Sequence, residues 1–230
     1  MNKALKIVLE VLLFIGIIAL VYLIYSSIMK PVNFNKQKER RETVAIQRLK
    51  DIRTLQVAYK SVNGKFVSTI DSLKNFYENG KMAVVMQIGS ADDSVAWAHT
   101  EKVKKANRKI TPEKLLEMYE AGDKNLVFSV VTQIPVKDTL FTSREDFCID
   151  SLKTIPFSGG APVEMTAETH MVSGVPVPLF EAKMPYKLLL KGLDNQLRIN
   201  LDADRKDQNK YEGLQVGSVT APNNNAGNWE

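Results

Sequence analysis

Residues Ile7 to Met29 read IVLEVLLFIGIIALVYLIYSSIM, an apolar run broken by a single carboxylate, Glu10. An α-helix needs about 20 apolar residues to cross the hydrocarbon core of a bilayer. This run meets that length, and it dictates the plan of the chain: one segment lies in lipid and the rest folds beside the membrane. A secretory signal carries an apolar region of only about 7–15 residues, closed by a small-residue cleavage site. No Ala-x-Ala stands near Ser26 and Ser27. Residues 1–30 are therefore expected to stay as an uncleaved transmembrane anchor.

Beyond the anchor, about 195 residues remain, enough for one ordinary domain. The net charge of +5 is a mild excess, and Lys30, Lys36, Lys38, Arg40 and Arg41 concentrate it just past the apolar run. Such a collar suits anionic headgroups of the lipid bilayer and not nucleic acid. The single cysteine, Cys148, excludes an internal disulfide. Basic residues next to a span mark its cytoplasmic side. With Lys3 and Lys6 before the run and five basic residues after it, that rule alone favours a cytoplasmic domain.

Pro31 predicts an end or a kink in the anchor, since proline removes one helical N–H and crowds the preceding turn. From Lys36 to Val62, apolar residues fall at Ala45, Leu49, Ile52, Leu55, Tyr59 and Val62. Steps of three and four residues mark one face of a helix, so residues 31–62 form an extramembrane spine whose face must pack on a domain. Asn63-Gly64 supplies the stop, because both residues accept the left-handed conformation that closes a helix.

A short helix is expected next, capped by Asp71 or Ser72, with Leu73, Phe76 and Tyr77 facing inward and Asn79-Gly80 closing it. Met82–Ile88 and Leu126–Ile134 are β-branched and read as strands. Between them Thr111 caps a helix that opens on Pro112 and Glu113 and runs to Ala121. Strands are expected over Phe147–Phe157 and Val163–Met171, and a hairpin of Tyr186–Leu190 with Leu197–Leu201 around Gly192. The fold class is α+β: a long N-terminal membrane-spanning helix packed on an antiparallel β-sheet domain, with residues 63–230 as one globular domain.

The anchor segment Lys6–Leu13 followed by Ile15–Ala19, the helix end Arg53–Phe66 (RTLQVAYKSVNGKF), and the C-terminus Ala226–Glu230 after Tyr211–Leu214 occur in an order that resembles type IV pilins and type II secretion pseudopilins. The resemblance covers the two ends of the chain and leaves residues 80–202 without a matched motif. It implies a pilin-like fold, a periplasmic domain on the bacterial inner membrane, and a structural role in protein transport through a homo- or hetero-oligomer built on the anchor helix. The charge rule and the resemblance thus point to opposite sides of the membrane. Leu5 and Lys6 stand where the family carries a glycine and a hydrophobic first residue. In the family the glutamate meets a neighbour's free amino terminus. Here Lys6 is the substitute cation, and Lys6 of one copy pairing with Glu10 of another is the expected assembly contact. Snorkelling of Glu10 to nearby headgroups is the plainer alternative.

Asp202, Asp204 and Asp207 are expected in a loop, where clustered carboxylates can hold calcium. The resemblance supports this, because major pseudopilins bind calcium in a C-terminal loop, although a solvated turn explains the same residues. His99, His170 and Cys148 lack metal-ligand spacing. Ser158-Gly159-Gly160 is a turn and not a nucleophile elbow, and no catalytic constellation or phosphate-cradling glycine loop occurs, so an enzyme is not expected. Lys102–Lys109 reads as a solvated basic segment, with contact to an acidic partner or a lipid surface as the sharper alternative. Trp229 is expected to dock on an apolar edge of the sheet or on a neighbouring subunit. The functional expectation is a structural subunit of an envelope secretion or pilus-like machine. A membrane-tethered binding protein for a peptide, glycan or lipid is the alternative.

Overall fold

A computed structural model describes residues 3–172 and 174–230 and, within the first helix, the side chains of Ile7 and of residues 9 onward. In chain order the elements are α1 (Lys3–Asn63), α2 (Ile70–Asn79), β1 (Lys81–Ile88), α3 (Ser94–Ala106), α4 (Pro112–Glu120), β2 (Phe128–Pro135), β3 (Glu164–Val172), β4 (Val175–Pro185), α5 (Tyr186–Leu189), α6 (Asn195–Asp207) and β5 (Gly213–Gly217). The class is α+β with antiparallel sheets.

Helix α1 is continuous over 61 residues, about 90 Å at ~1.5 Å per residue. It runs through Pro31, so of the end or kink expected there the end does not occur. The carbonyl that Pro31 leaves without an N–H belongs to Ser27, an exposed residue at the polar end of the apolar run. Solvent or headgroups can satisfy that carbonyl. At the other end the expected stop holds: Gly64 adopts φ 73° and its N–H returns to the Lys60 carbonyl at 2.8 Å.

The chain divides into two compact units, where one globular domain over 63–230 was expected. The first comprises the residues up to Gln56, Lys65–Ile70 and Cys148–Glu230. Its sheet has the order β3-β4-β5, all antiparallel. Phe180, Ala182 and Met184 of β4 and Leu214 and Val216 of β5 share one face and are buried, together with Ala45, Leu49, Ile52 and Leu55 of α1. From Ala45 to Leu55 the stripe read from the sequence is thus the core face of the helix, whereas Val62, expected on the same stripe, is exposed. Gln56, fully buried, bonds both polar groups of Val67: its Nε2 donates to the Val67 carbonyl at 2.5 Å and its Oε1 accepts from the Val67 N–H at 3.1 Å. Phe66 lies on Phe180 with ring centroids 4.8 Å apart.

Two expected strand regions of this unit are not strands. Phe147–Phe157 contains a 3-10 turn at Ile149–Lys153. The Ser158 hydroxyl donates to the Ile155 carbonyl at 2.7 Å and accepts from the Ala161 N–H at 2.9 Å, a local pattern that competes with a ladder. The expected hairpin of Tyr186–Leu190 with Leu197–Leu201 is instead α5 and α6, because the Asp194 carboxylate accepts the Leu197 N–H at 3.0 Å and caps a helix. Strand β5 was not foreseen. At its end Gly217 has φ 72°, and a Cβ there would meet the Phe180 carbonyl oxygen at 2.2 Å, so the close approach of β5 to β4 requires glycine.

The second unit comprises Val57–Gly64 and Asp71–Phe147. Strands β1 and β2 pair from Lys81↔Pro135 to Ile88↔Phe128, close to the expected bounds. One face carries Phe128 and Val130, which pack with Leu115, Leu126 and Ile88. The other leaves Val85 and Val131 exposed opposite one another. Thr111 caps α4 as expected. The basic run Lys102–Lys109 is largely exposed, as expected, on and just past the end of α3, which is capped by Asp93, accepting from the Val95 and Ala96 N–H groups at 3.0 Å. The buried Thr100 hydroxyl of this helix accepts the Val127 N–H at 2.8 Å and so ties α3 to the start of β2. Helix α2 begins at Ile70, ahead of both expected caps, and Leu73 and Phe76 are buried on it.

Candidate functional site

The feature with the strongest chemical constraint is α1 itself. It contains an apolar window of mean hydropathy 2.6, none of which is buried within the protein. Residues exposed there include Leu12, Leu13, Phe14, Ile17, Ile18, Leu20 and Val21, which occupy every side of the helix. A helix apolar all round belongs in lipid or among other helices. Glu10 is exposed at the lower part of this surface. The Lys6 side chain lies outside the described residues.

Above Met29 the same helix changes role. Phe34 is buried, and the basic collar divides. Arg41 donates to the carbonyls of Leu189 at 3.0 Å and Lys191 at 2.8 Å, and Lys38 lies 4.0 Å from Glu42. Lys30, Lys36 and Arg40 remain exposed. The collar read as a headgroup contact is therefore partly consumed in fixing α1 to the loop before α6.

At Glu42, next to Arg41, the Tyr186 hydroxyl donates to the carboxylate at 2.5 Å and accepts from Arg205 at 2.9 Å. Burial pushes the Tyr186 phenol above its ordinary range, Glu42 pushes it further, and Arg205 opposes both. The triad joins α1, α5 and α6 through one buried ring. Nothing local in the sequence marks it, because Glu42 and Tyr186 are 144 residues apart. On the opposite face of the sheet, burial also raises the Tyr211 phenol, and Glu164, Glu181, Glu212 and Asp202 add to the effect.

The three aspartates expected to hold calcium lie on helix α6 and not in a loop. At about 100° per residue, Asp202 points well away from Asp204 and Asp207. Asp202 is bonded to Arg198 at 2.5 Å, and burial raises its carboxyl despite that cation. Among the described residues no group of three or more His, Cys, Asp or Glu side chains is placed to hold a metal ion. His99 bonds Asp123 at 2.8 Å, and His170 bonds Glu168 at 3.0 Å.

Trp229 lies in a docked C-terminal tail. Gly227 bridges Val216, the Asn228 N–H donates to the Gln215 carbonyl at 3.0 Å, and its Oδ1 accepts the Gln215 N–H at 3.1 Å. The Trp229 ring covers Gly227, where a Cβ would meet it at 2.3 Å. Glu230 is paired with Arg53 at 2.7 Å, which holds its carboxyl below the usual range. The tail thus extends the sheet beyond β5.

In the second unit, Tyr59, Asn63, Asp71, Ser72, Asn75, Phe76, Asn79 and Gly80 line an open groove of about 550 Å³. Apart from Asp71 its polar lining is uncharged, and Asn79 donates to Asn75 at 2.9 Å. No local pattern marks this groove: Asn63 and Asn79 are ordinary helix-end residues and Asn75 lies within α2.

No family model, curated protein or solved structure matches the chain.

Proposed function

We propose that this protein is a membrane-anchored structural or assembly subunit of an envelope secretion or pilus-like machine, similar in plan to the type II secretion pseudopilins, with its domain on the periplasmic side of a bacterial inner membrane. One observation carries the reading: a single helix is uncovered and apolar in its lower part and forms the core face of a sheet domain in its upper part. Such a helix transmits a lateral contact made in the membrane directly to the domain, without a linker. A carboxylate at bilayer depth is costly unless paired, and Lys6 of a neighbouring copy is the cation we assign to Glu10.

The test is oxidative crosslinking of single cysteines at Leu13 and Ile17 in a Cys148→Ser background, in native membranes. An assembly subunit gives self-crosslinked species that Glu10→Gln abolishes. Monomer alone at both positions refutes assembly through the anchor.

The groove at Tyr59 and Asn75 favours a second reading, a membrane-tethered binding protein. Neutral amide and hydroxyl groups beside aromatic rings suit a polyhydroxyl ligand such as a glycan, and the volume falls within the range of ligand pockets. A soluble truncate that binds a glycan array through Asn75, with no self-crosslinking by the full chain, would establish that reading in place of the first.

A further inference from the structure

Helix α1 and the loop before α6 enclose a small recess of about 240 Å³, lined by Lys30, Asn33, Phe34, Gln37, Leu193 and Asp194. The helix wall is one stripe at positions 30, 33, 34 and 37. Phe34 is its buried floor, and Lys30, Asn33, Gln37 and Asp194 are exposed at its mouth. Among the described residues neither Lys30 nor Asp194 forms a salt bridge.

The height of this recess follows from the helix. From Val11 to Met29 no residue is charged, a rise of about 28 Å at ~1.5 Å per residue, close to the ~30 Å hydrocarbon core. Lys30 then stands at its boundary, and Asn33 to Gln37 lie about 5–10 Å beyond, the depth of the headgroup layer. Resting on the anchor reading above, we propose that this recess binds the headgroup of a phospholipid that carries both a phosphate and a primary ammonium. Lys30 takes the phosphate. The Asp194 carboxylate, with the amide oxygens of Asn33 and Gln37, accepts the ammonium N–H groups. Asp194 Oδ1 caps α6 through the Leu197 N–H, which leaves Oδ2 for the ligand. Phe34 and Leu193, beyond Lys30, meet the methylenes that join the phosphate to the ammonium. A trimethylammonium headgroup has no N–H to give, and a headgroup without an amine leaves Asp194 facing a second anion.

The experiment uses the full chain in nanodiscs of mixed lipids, with retained lipid identified by native mass spectrometry and vesicle flotation run in parallel. Wild type retains phosphatidylethanolamine about tenfold over phosphatidylcholine. Asp194→Asn keeps the helix cap, since asparagine caps as well as aspartate, and brings the preference below about twofold. Lys30→Gln lowers retention of both lipids. Excess soluble phosphoethanolamine leaves the bound lipid in place, because the site draws its ligand from the bilayer. Equal retention of the two lipids by wild type, or unchanged selectivity in Asp194→Asn, with flotation intact, overturns the recess proposal and leaves the anchor standing. Displacement by soluble phosphoethanolamine overturns the lipid assignment. Loss of flotation overturns the anchor reading itself, and the proposal falls with it.

Discussion

Removal of Asn228–Glu230 takes away the outermost strand-like segment of the sheet and nothing else in its core. Besides the exposed Arg53–Glu230 pair and the Glu230–Gly227 bonds, which contribute little, three hydrogen bonds to β5 disappear: the Asn228 N–H to the Gln215 carbonyl at 3.0 Å, the Gln215 N–H to Asn228 Oδ1 at 3.1 Å, and Asn228 Nδ2 to the Gly213 carbonyl at 2.9 Å. Each contributes about 1 kcal/mol net, or about 3 kcal/mol together. The Trp229 ring over Gly227 adds some burial, and water taking up the freed β5 groups offsets it. For a folded region of this size, 1 kcal/mol moves Tm by about 2–4 °C, so the deletion is expected to lower Tm by about 6–12 °C. Differential scanning calorimetry of the full chain in detergent measures this without depending on tryptophan emission, which the deletion itself changes. Asn228→Ala removes only the two side-chain bonds and should lower Tm by about 4–8 °C. A shift below about 2 °C on deletion refutes the docking of the tail.

Tyr186→Phe removes the hydroxyl shared by Glu42 and Arg205, and is expected to destabilise the first unit by about 2 kcal/mol in urea unfolding, as loss of hydrogen bonds to charged groups does. The Tyr186 and Tyr211 phenols are both held above their ordinary value of about 10. The unfolded chain therefore releases these protons first as pH rises, so their stabilising contribution is complete below about pH 10 and is lost progressively above it. An alkaline melting series should show this fall, with absorbance near 295 nm delayed in the folded protein relative to the denatured one. Because Asp202 diverges from Asp204 and Asp207 on α6, millimolar calcium or chelator should move Tm by less than about 1 °C, and a larger stabilisation by calcium would overturn the helical placement of these carboxylates.

The readable parts of this chain were those whose signals are local. The Ala45–Leu55 stripe is set by helical period, the α4 start by Thr111-Pro112-Glu113, and the end of α1 by Asn63-Gly64, each within a few residues. Leu197, Ile199 and Leu201 alternate as a strand does, and that period misled until the Asp194 cap, three residues earlier, decided for a helix. Ser158 turned an apolar segment into a turn by bonding its own neighbourhood. The Glu42–Tyr186–Arg205 triad, the division into two units and the recess at Phe34 depend on residues far apart in sequence, and no local pattern encodes them. The apolar run fixed the anchor's length but not its continuity through Pro31, since that depends on where the freed Ser27 carbonyl lies.

The central claim is that one helix serves as membrane anchor below and domain spine above. A cysteine scan along α1 in a Cys148→Ser background, labelled in intact vesicles with a membrane-impermeant maleimide, tests it most directly. The account predicts that Leu12 to Ile28 stay unlabelled while Asn35 and Thr43, exposed on the same helix above the core, label readily. Labelling of Leu12 to Ile28 to the same extent as Thr43 would contradict it.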